Sequence, residues 1–300
     1  MATELADGAD CVDLSVSAVD GRAAAAALDG AHAWIPDDAS WAAGAEPDLL
    51  APVGEEPIVV ATTPIYLVAD PPTRDRLSQA SGDGSVTWAG LAAGVSGPEP
   101  LRLLASDPAS SGAGLVGVAA VSESTWVSAG MDAASGVLAA AQPLTRTVGA
   151  SDAPAPQAGE VGVSTEHALL AAGPDPDRAV VAPADATAML RYTWLPTVLG
   201  DGDPAVEAAR QRLLAALTGD RAQAALAEAG LRGPDMAPID GADWLPAAQA
   251  PPMPVLKPHH VEHVFAAWYP QDRIADLLIV VDISGSMFAK PPGSGLTLIR

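Results

Sequence analysis

Short strand-like runs alternate with helix-like runs along most of this chain, and that order places the fold in the α/β class. Cys11 to Val19 alternates apolar and polar residues with the period of two that a half-buried strand needs. Arg22 to Leu28 is alanine-rich, reads as a helix and ends at Gly30, and His32 to Ile35 is a short strand closed by Pro36. Ile58 to Val68 is apolar and largely β-branched, with Pro64 inside it predicting a bend or an edge position. Thr87 to Ala93 reads as a short helix and Leu101 to Ala105 as a strand. Asp107-Pro108-Ala109-Ser110-Ser111-Gly112 then leads into a helix over Gly114 to Val121. After a polar, proline-containing loop (Ala150 to Glu160), Thr165 to Ala172 reads as a helix and Ala179 to Ala182 as a strand. Asp203 is a helix N-cap with Pro204 at the first helical position, and Val206, Leu213, Leu214 and Leu217 share one face. A second helix, Asp220 to Ala229, is closed by Gly230. No solenoid-type repeat is present.

Composition narrows the partners. A chain of 300 residues suits two domains or one large one. The net charge of -22 repels phosphate backbones, which excludes nucleic-acid binding. Aromatic residues are only 4%, so the core must be built mainly from Ala, Val and Leu. Cys11 is the single cysteine, so no intramolecular disulfide forms, and it reads as a small buried residue of a strand. No apolar run approaches the ~18 residues of a membrane span, and no signal-peptide pattern opens the chain. Met1 to Asp10 reads as the end of a helix and a turn, so a strand and helix are expected upstream.

Asp276 to Met287 reads D-L-L-I-V-V-D-I-S-G-S-M. The continuous apolar run Leu277 to Val281 suits a parallel strand buried on both faces. Asp282, Ser284 and Ser286 follow it immediately, with Gly285 allowing a tight turn. One carboxylate and two hydroxyls form an all-oxygen set suited to Mg²⁺ or another hard divalent cation. This D-x-S-x-S run resembles the metal-ion-dependent adhesion site of von Willebrand factor type A domains. The resemblance implies direct metal ligation by Ser284 and Ser286, and ligation through water by Asp282. It also implies further threonine and aspartate ligands well downstream, whereas the sequence given stops at Arg300.

Three groups with one charge offset little of the dehydration cost of Mg²⁺. The expectation is therefore weak Mg²⁺ binding by the 300-residue chain and strong binding by a version continuing past Arg300. Calorimetric titration of both, with Asp282→Ala in the longer one, checks this. Tight binding by the shorter chain would refute the ligand arithmetic, and an unchanged Asp282→Ala titration would refute the motif.

The first 245 residues resemble bacterial extracellular solute-binding proteins, of the variety fused to a C-terminal type A domain. The stretches that carry this are Ala33 to Asp38 with Trp41, the strand ending Thr62-Thr63-Pro64, and Ser106 to Gly114. Thr165 to Leu169 and the helix pair ending Ala229-Gly230-Leu231-Arg232 complete the set. The resemblance implies a two-lobed type II periplasmic-binding-protein-like domain (1–245), a proline-rich linker and lead-in (246–272), and the first strand of a Rossmann-like type A domain (273–300). It implies crossings between lobes near Ile58 to Ala69 and Ala179 to Ala186, and a small molecule in the cleft. Ser110 and Ser111, placed before a helix, and the hydroxyls of Thr62, Thr63 and Thr165 are the candidate ligand contacts, with plain helix capping as the alternative for the two serines.

His259, His260 and His263 have a spacing that places two on one helix face, but lack a convincing third ligand and read instead as a solvated helix start. Gly112 and Gly114 lack the full dinucleotide-binding glycine pattern, and no nucleophile–base constellation is present, so no enzyme is expected. Trp34, Trp88 and Trp194 read as packing residues. The leading functional expectation is an extracytoplasmic, membrane-anchored solute-binding and adhesion protein that holds a protein partner through a metal-bridged carboxylate. The alternatives are a cytosolic type A subunit of a metal-chelatase or chaperone complex, and the receptor of a transport system.

Overall fold

The computed structural model describes residues 13–46, 48–51, 57–81 and 84–269. The chain divides into a unit ending at Trp268 and a second one from Tyr269 to Arg300. Cys11, Asp282, Ser284 and Ser286 lie outside the described residues.

The strands are β1 (Ala33–Trp34), β2 (Ile58–Ala69), β3 (Arg102–Ala105), β4 (Arg146–Thr147), β5 (Glu160–Thr165), β6 (Ala179–Val181) and β7 (Met189–Pro196). The helices are α1 (Gly21–Ala26), α2 (Pro71–Ala80), α3 (Trp88–Val95), α4 (Gly112–Ala129), α5 (Met131–Ala141), α6 (Glu166–Ala172), α7 (Pro204–Thr218), α8 (Asp220–Glu228) and α9 (Pro258–Trp268), with a 3-10 turn at Ala39–Gly44.

The sheet order is β1-β7-β2-β5-β3-β4, with β6 also beside β2. β2 is long enough to serve two lobes. Its first half pairs antiparallel with β7, from Ile58 opposite Trp194 to Pro64 opposite Met189. Its second half pairs antiparallel with β5 and β6, from Ile65 opposite Thr165 to Ala69 opposite Val161 and Ala179. Pro64 marks the change of partners, in keeping with its missing backbone donor. β3 runs parallel to β5 and β4 and completes the second lobe's sheet. Lobe 1 therefore holds β1, β7, the first half of β2, α7 and α8, and lobe 2 holds the rest of the sheet with α2 to α6. The second passage between lobes runs through 182–188, at the end of the expected stretch.

Lobe 2 has the denser core. Leu91, Leu104, Leu115, Val118, Leu138, Val161 and Leu169 are fully buried, as the Ala, Val and Leu composition requires. Gly117 lets α4 lie close on the sheet, because a Cβ there would stand 2.5 Å from Val163 Cγ1. α4 is longer than expected, since its small apolar residues are buried on every side as far as Ser122. Trp88 and Trp194 are buried packing residues, and Trp34 is half-buried.

Two expectations are corrected. Residues 13–20 form no strand despite their alternation, and Val16 and Val19 are exposed. A strand is stabilised by its neighbours, and among the described residues none lies beside this one. The stretch 246–268 is also no free tether as far as it is described. Met253, Leu256, Val261, Val264 and Trp268 are buried, and α9 packs on α4, α5 and the 3-10 turn.

Candidate functional site

The two lobes meet where α4 begins. Ser111 is its N-cap, in extended conformation, and the Ser111 hydroxyl accepts from Gly114 N–H at 3.0 Å. The next free donor, Gly112 N–H, points across to lobe 1 and donates to Asp37 Oδ2 at 2.7 Å. Asp37 Oδ1 accepts from the Trp41 indole N–H, also at 2.7 Å. A carboxylate on a helix N-terminus is the arrangement the helix dipole favours. Burial nevertheless pushes the Asp37 carboxyl above the usual carboxylate range, against the opposing pull of Gly112 and Trp41. Gly112 has to be glycine for this contact, because a Cβ would lie 2.8 Å from Asp37 Oδ1. A second tie lies close by, where Arg22 N–H donates to Ala109 O at 3.0 Å.

Asp38 is 1% exposed and works inside lobe 1. It accepts from Ser40 N–H at 2.8 Å, capping the 3-10 turn, and from Arg191 N–H of β7 at 3.0 Å. Desolvation raises its carboxyl above the ordinary range as well. Tyr192, next along β7, is pushed up to about 12 by burial and by the charges of Asp37 and Asp38.

The candidate contacts named from sequence are distributed as follows. Ser110 is exposed, with its hydroxyl donating to Asp107 O at 3.1 Å, while Ser111 is buried as the cap of α4. Both sit at the helix N-terminus that faces the other lobe. Thr62 and Thr63 lie buried on β2 at the change of partners. The Thr62 hydroxyl donates to Gly233 O at 3.1 Å, and the Thr63 hydroxyl accepts from His167 N–H at 3.2 Å. Thr165 caps α6 through Ala168 N–H at 3.2 Å. All five hydroxyls thus carry an internal hydrogen bond.

Behind Thr62 and Thr63 the lobes are joined by a buried ion pair. Arg232 Nε and Nη2 donate to the two oxygens of Glu166 at 2.6 Å each, and Tyr66 OH stands 3.4 Å from Glu166 Oε1. Sequence reading named the stretches around Glu166 and Arg232 but not this pairing. It gave no role to Asp37, Asp38 or Arg191 either; a D-D pair directly after a strand and Pro36 is the only local signal they offer.

The histidines open α9, where His259 is exposed as expected, while His260 is half-buried and His263 is buried. His263 is 8% exposed, and Trp126 has its ring centroid 5.9, 4.5 and 4.6 Å from those of His259, His260 and His263. His260 Nδ1 lies 3.0 Å from Glu123 Oε1, and His263 Nε2 lies 2.7 Å from Ser135 Oγ. Among the described residues no group of three His, Cys, Asp or Glu side chains is placed to hold a metal ion. Nor is any described helix long and apolar enough to cross a membrane.

Openings on the first unit include two of note. One, of about 10 Å³, lies between the lobes and is lined by Asp38, Ser40, Val116, Arg191 and Met253 among others. The other, of about 450 Å³, is a mainly apolar groove in lobe 1 between β2, Tyr192 and the helices α7 and α8.

Comparison with known proteins agrees with the two-lobed arrangement. No curated protein sequence matches the chain. Among solved structures, a ferric binding protein from Campylobacter jejuni has a TM-score of 0.62 at 12% identity, over 86% of this chain and 91% of that one. A periplasmic binding protein from Actinobacillus pleuropneumoniae, holding fructose-6-phosphate, has a TM-score of 0.56 at 12% identity, over 85% and 89%. A periplasmic thiamin binding protein has a TM-score of 0.55 at 16% identity, over 91% and 88%. At these identities the likeness is one of fold. The family model for bacterial extracellular solute-binding proteins matches residues 9–232, most of the chain, and covers β2, its change of partners and the Asp37 contact alike. The chain belongs to the bacterial extracellular solute-binding protein family.

Proposed function

We propose that this chain is the extracytoplasmic receptor of a transport system, holding a small solute between its lobes without catalysis. The observation that carries the reading is β2, one continuous strand whose halves belong to different sheets. Such a shared strand is a hinge, and hinge closure around a ligand is one of the standard domain motions. Solute-binding proteins are generally non-catalytic, in keeping with the lack of a nucleophile–base pair in this sequence. Ser110, Ser111, Thr62, Thr63 and Thr165 are the proposed contacts, because they sit at the α4 N-terminus, at the hinge and at the α6 N-terminus.

Thiamin, fructose-6-phosphate and ferric ion, the last as cargo, are the first probes because of what the names of the structural neighbours say they bind. They are followed by a panel of amino acids, sugars and oxyanions. A solute present at about a hundred times its Kd should stabilise the fold by about 2.7 kcal/mol, which thermal denaturation reads as a rise in Tm. An unchanged Tm, with an unchanged radius of gyration, across the whole panel, both for the protein and for its Phe265→Ala variant, would refute the receptor reading.

A second reading rests on the D-x-S-x-S run. Asp282, Ser284 and Ser286 are proposed to hold Mg²⁺ or another divalent cation and, through it, a carboxylate of a protein partner at the cell envelope. The Mg²⁺ titration with Asp282→Ala described above tests it independently of the cleft.

A further inference from the structure

We propose that residues 250–256 are an intramolecular occupant of the inter-lobe cleft and that α9 is the strap holding them there, so that a solute enters only after the strap lifts. The inference rests on the reading of the cleft as the solute site.

The cleft recognises this segment by its main chain, as it would a bound peptide. Thr187, on the passage between lobes, donates its N–H to Pro251 O at 2.9 Å and accepts from Met253 N–H at 2.8 Å. Its hydroxyl donates to Ala250 O at 2.8 Å. Arg191 Nη2 donates to Met253 O at 2.6 Å. Pro251, Pro252 and Pro254 fix their own φ angles, so the segment loses little entropy when it docks.

The segment is packed from both lobes. Asp38, Ser40 and, on β7, Met189 and Arg191 face the segment from lobe 1, and Val116 of α4 faces it from lobe 2. Met253 and Leu256 are 9% and 7% exposed. What remains open between these residues is about 10 Å³, the size of one water at most.

α9 grips both lobes. Its N-terminal half packs on lobe 2, through His260 against Glu123, His263 against Ser135, and Trp126 among the histidines. Its C-terminal half reaches lobe 1, where the Phe265 ring lies 6.3 Å from Trp41 and 5.1 Å from the Arg22 guanidinium carbon. The segment and the strap thus tie both lobes together through contacts within the chain itself. A solute has to compete with a segment whose effective concentration is set by its tether.

The test uses the full chain with Phe265→Ala, which removes a strap anchor and leaves Thr187 and Arg191 intact. Hydrogen exchange in the absence of solute should accelerate about tenfold or more at the amides of 250–268. The amides of β2 and β5 should keep their wild-type protection, which separates lifting from unfolding. A synthetic peptide with the sequence of Gln249 to Lys257 should then bind the Phe265→Ala protein and restore slow exchange at Thr187. Adding Arg191→Gln should abolish that binding. Exchange that stays slow over 250–268 overturns the proposal, as does exchange that rises only together with that of β2. Failure of the peptide to bind a protein whose strap has lifted overturns it too. If the strap lifts and the peptide binds, but no small solute binds either protein, the receptor reading fails while this inference stands.

Discussion

Arg232→Ala should destabilise the first unit by about 3–5 kcal/mol, read as a lower midpoint in urea. The effect comes from the partner left behind. The Glu166 side chain is 1% exposed and that of Arg232 11%, so the guanidinium is the only strong compensation for a carboxylate taken out of water. Both Arg232–Glu166 bonds are 2.6 Å and form a two-pronged pair, the strongest hydrogen-bond geometry available to a carboxylate. Tyr66 OH, at 3.4 Å, is a poor substitute, and burial and the nearby charge of Glu166 raise its own pKa. The same arginine anchors the chain through its backbone, exchanging hydrogen bonds with Thr62 at 2.8 and 2.9 Å. Its side chain therefore ties the segment after α8 in lobe 1 to the start of α6 in lobe 2, directly behind the hinge. Replacing both partners by apolar residues, Glu166→Leu with Arg232→Met, should recover most of the loss, because desolvation of the pair offsets most of its attraction. A loss below about 1 kcal/mol for Arg232→Ala would show that the pair behaves as a solvated surface bridge.

The features legible in the sequence were those encoded locally. Asp203 and Pro204 announce α7, and the structure has Asp203 accepting from Ala205 N–H with Pro204 opening the helix. Thr87 and Thr165 cap α3 and α6 within a residue of the expected starts. Pro64 marks the one place in β2 where partners change. The failures are of the opposite kind. Residues 13–19 carry a sound strand pattern, but a pattern supplies no neighbour to pair with. β7 was missed because Met189 to Pro196 lacks alternation: lying between β1 and β2, it is covered on both sides over much of its length. α2 is polar, with only Thr73 and Leu77 buried, so its apolar stripe was too thin to read, although Asp70 and Pro71 signal its start. At the site, Ser111 was legible as a cap, but the carboxylate that meets Gly112 lies 75 residues away in sequence. The docked segment 250–256 has the composition of a tether, and only tertiary contacts turn it into a packed element.

Trp41→Ala should cost about 3–5 kcal/mol, and Trp41→Phe should expose how much of that belongs to Asp37. The Trp41 side chain is 2% exposed, and its ring packs against Phe265, so alanine removes a large buried surface at the join of the lobes. Phenylalanine keeps most of that packing and deletes the indole N–H that donates to Asp37 Oδ1. A buried acceptor deprived of its donor costs about 1–3 kcal/mol. This cost depends on pH, with a definite sign. The Asp37 carboxyl in the folded protein titrates above its ordinary 3.8, because burial opposes its charge, so wild-type stability falls as pH rises from 3.8 through the folded value. The indole N–H restrains that rise, and without it the folded pKa climbs further. The deficit of Trp41→Phe should therefore be smallest in acid, where Asp37 is protonated in both proteins. It should grow as pH rises through the two folded values and stay level above them. Urea midpoints between roughly pH 3 and 7 measure this. Adding Asp37→Asn should flatten the dependence, since an amide has no charge to desolvate. A deficit that is the same at every pH would mean that Trp41 acts at the lobe junction by packing alone, and that the Asp37 bridge to α4 stands without it.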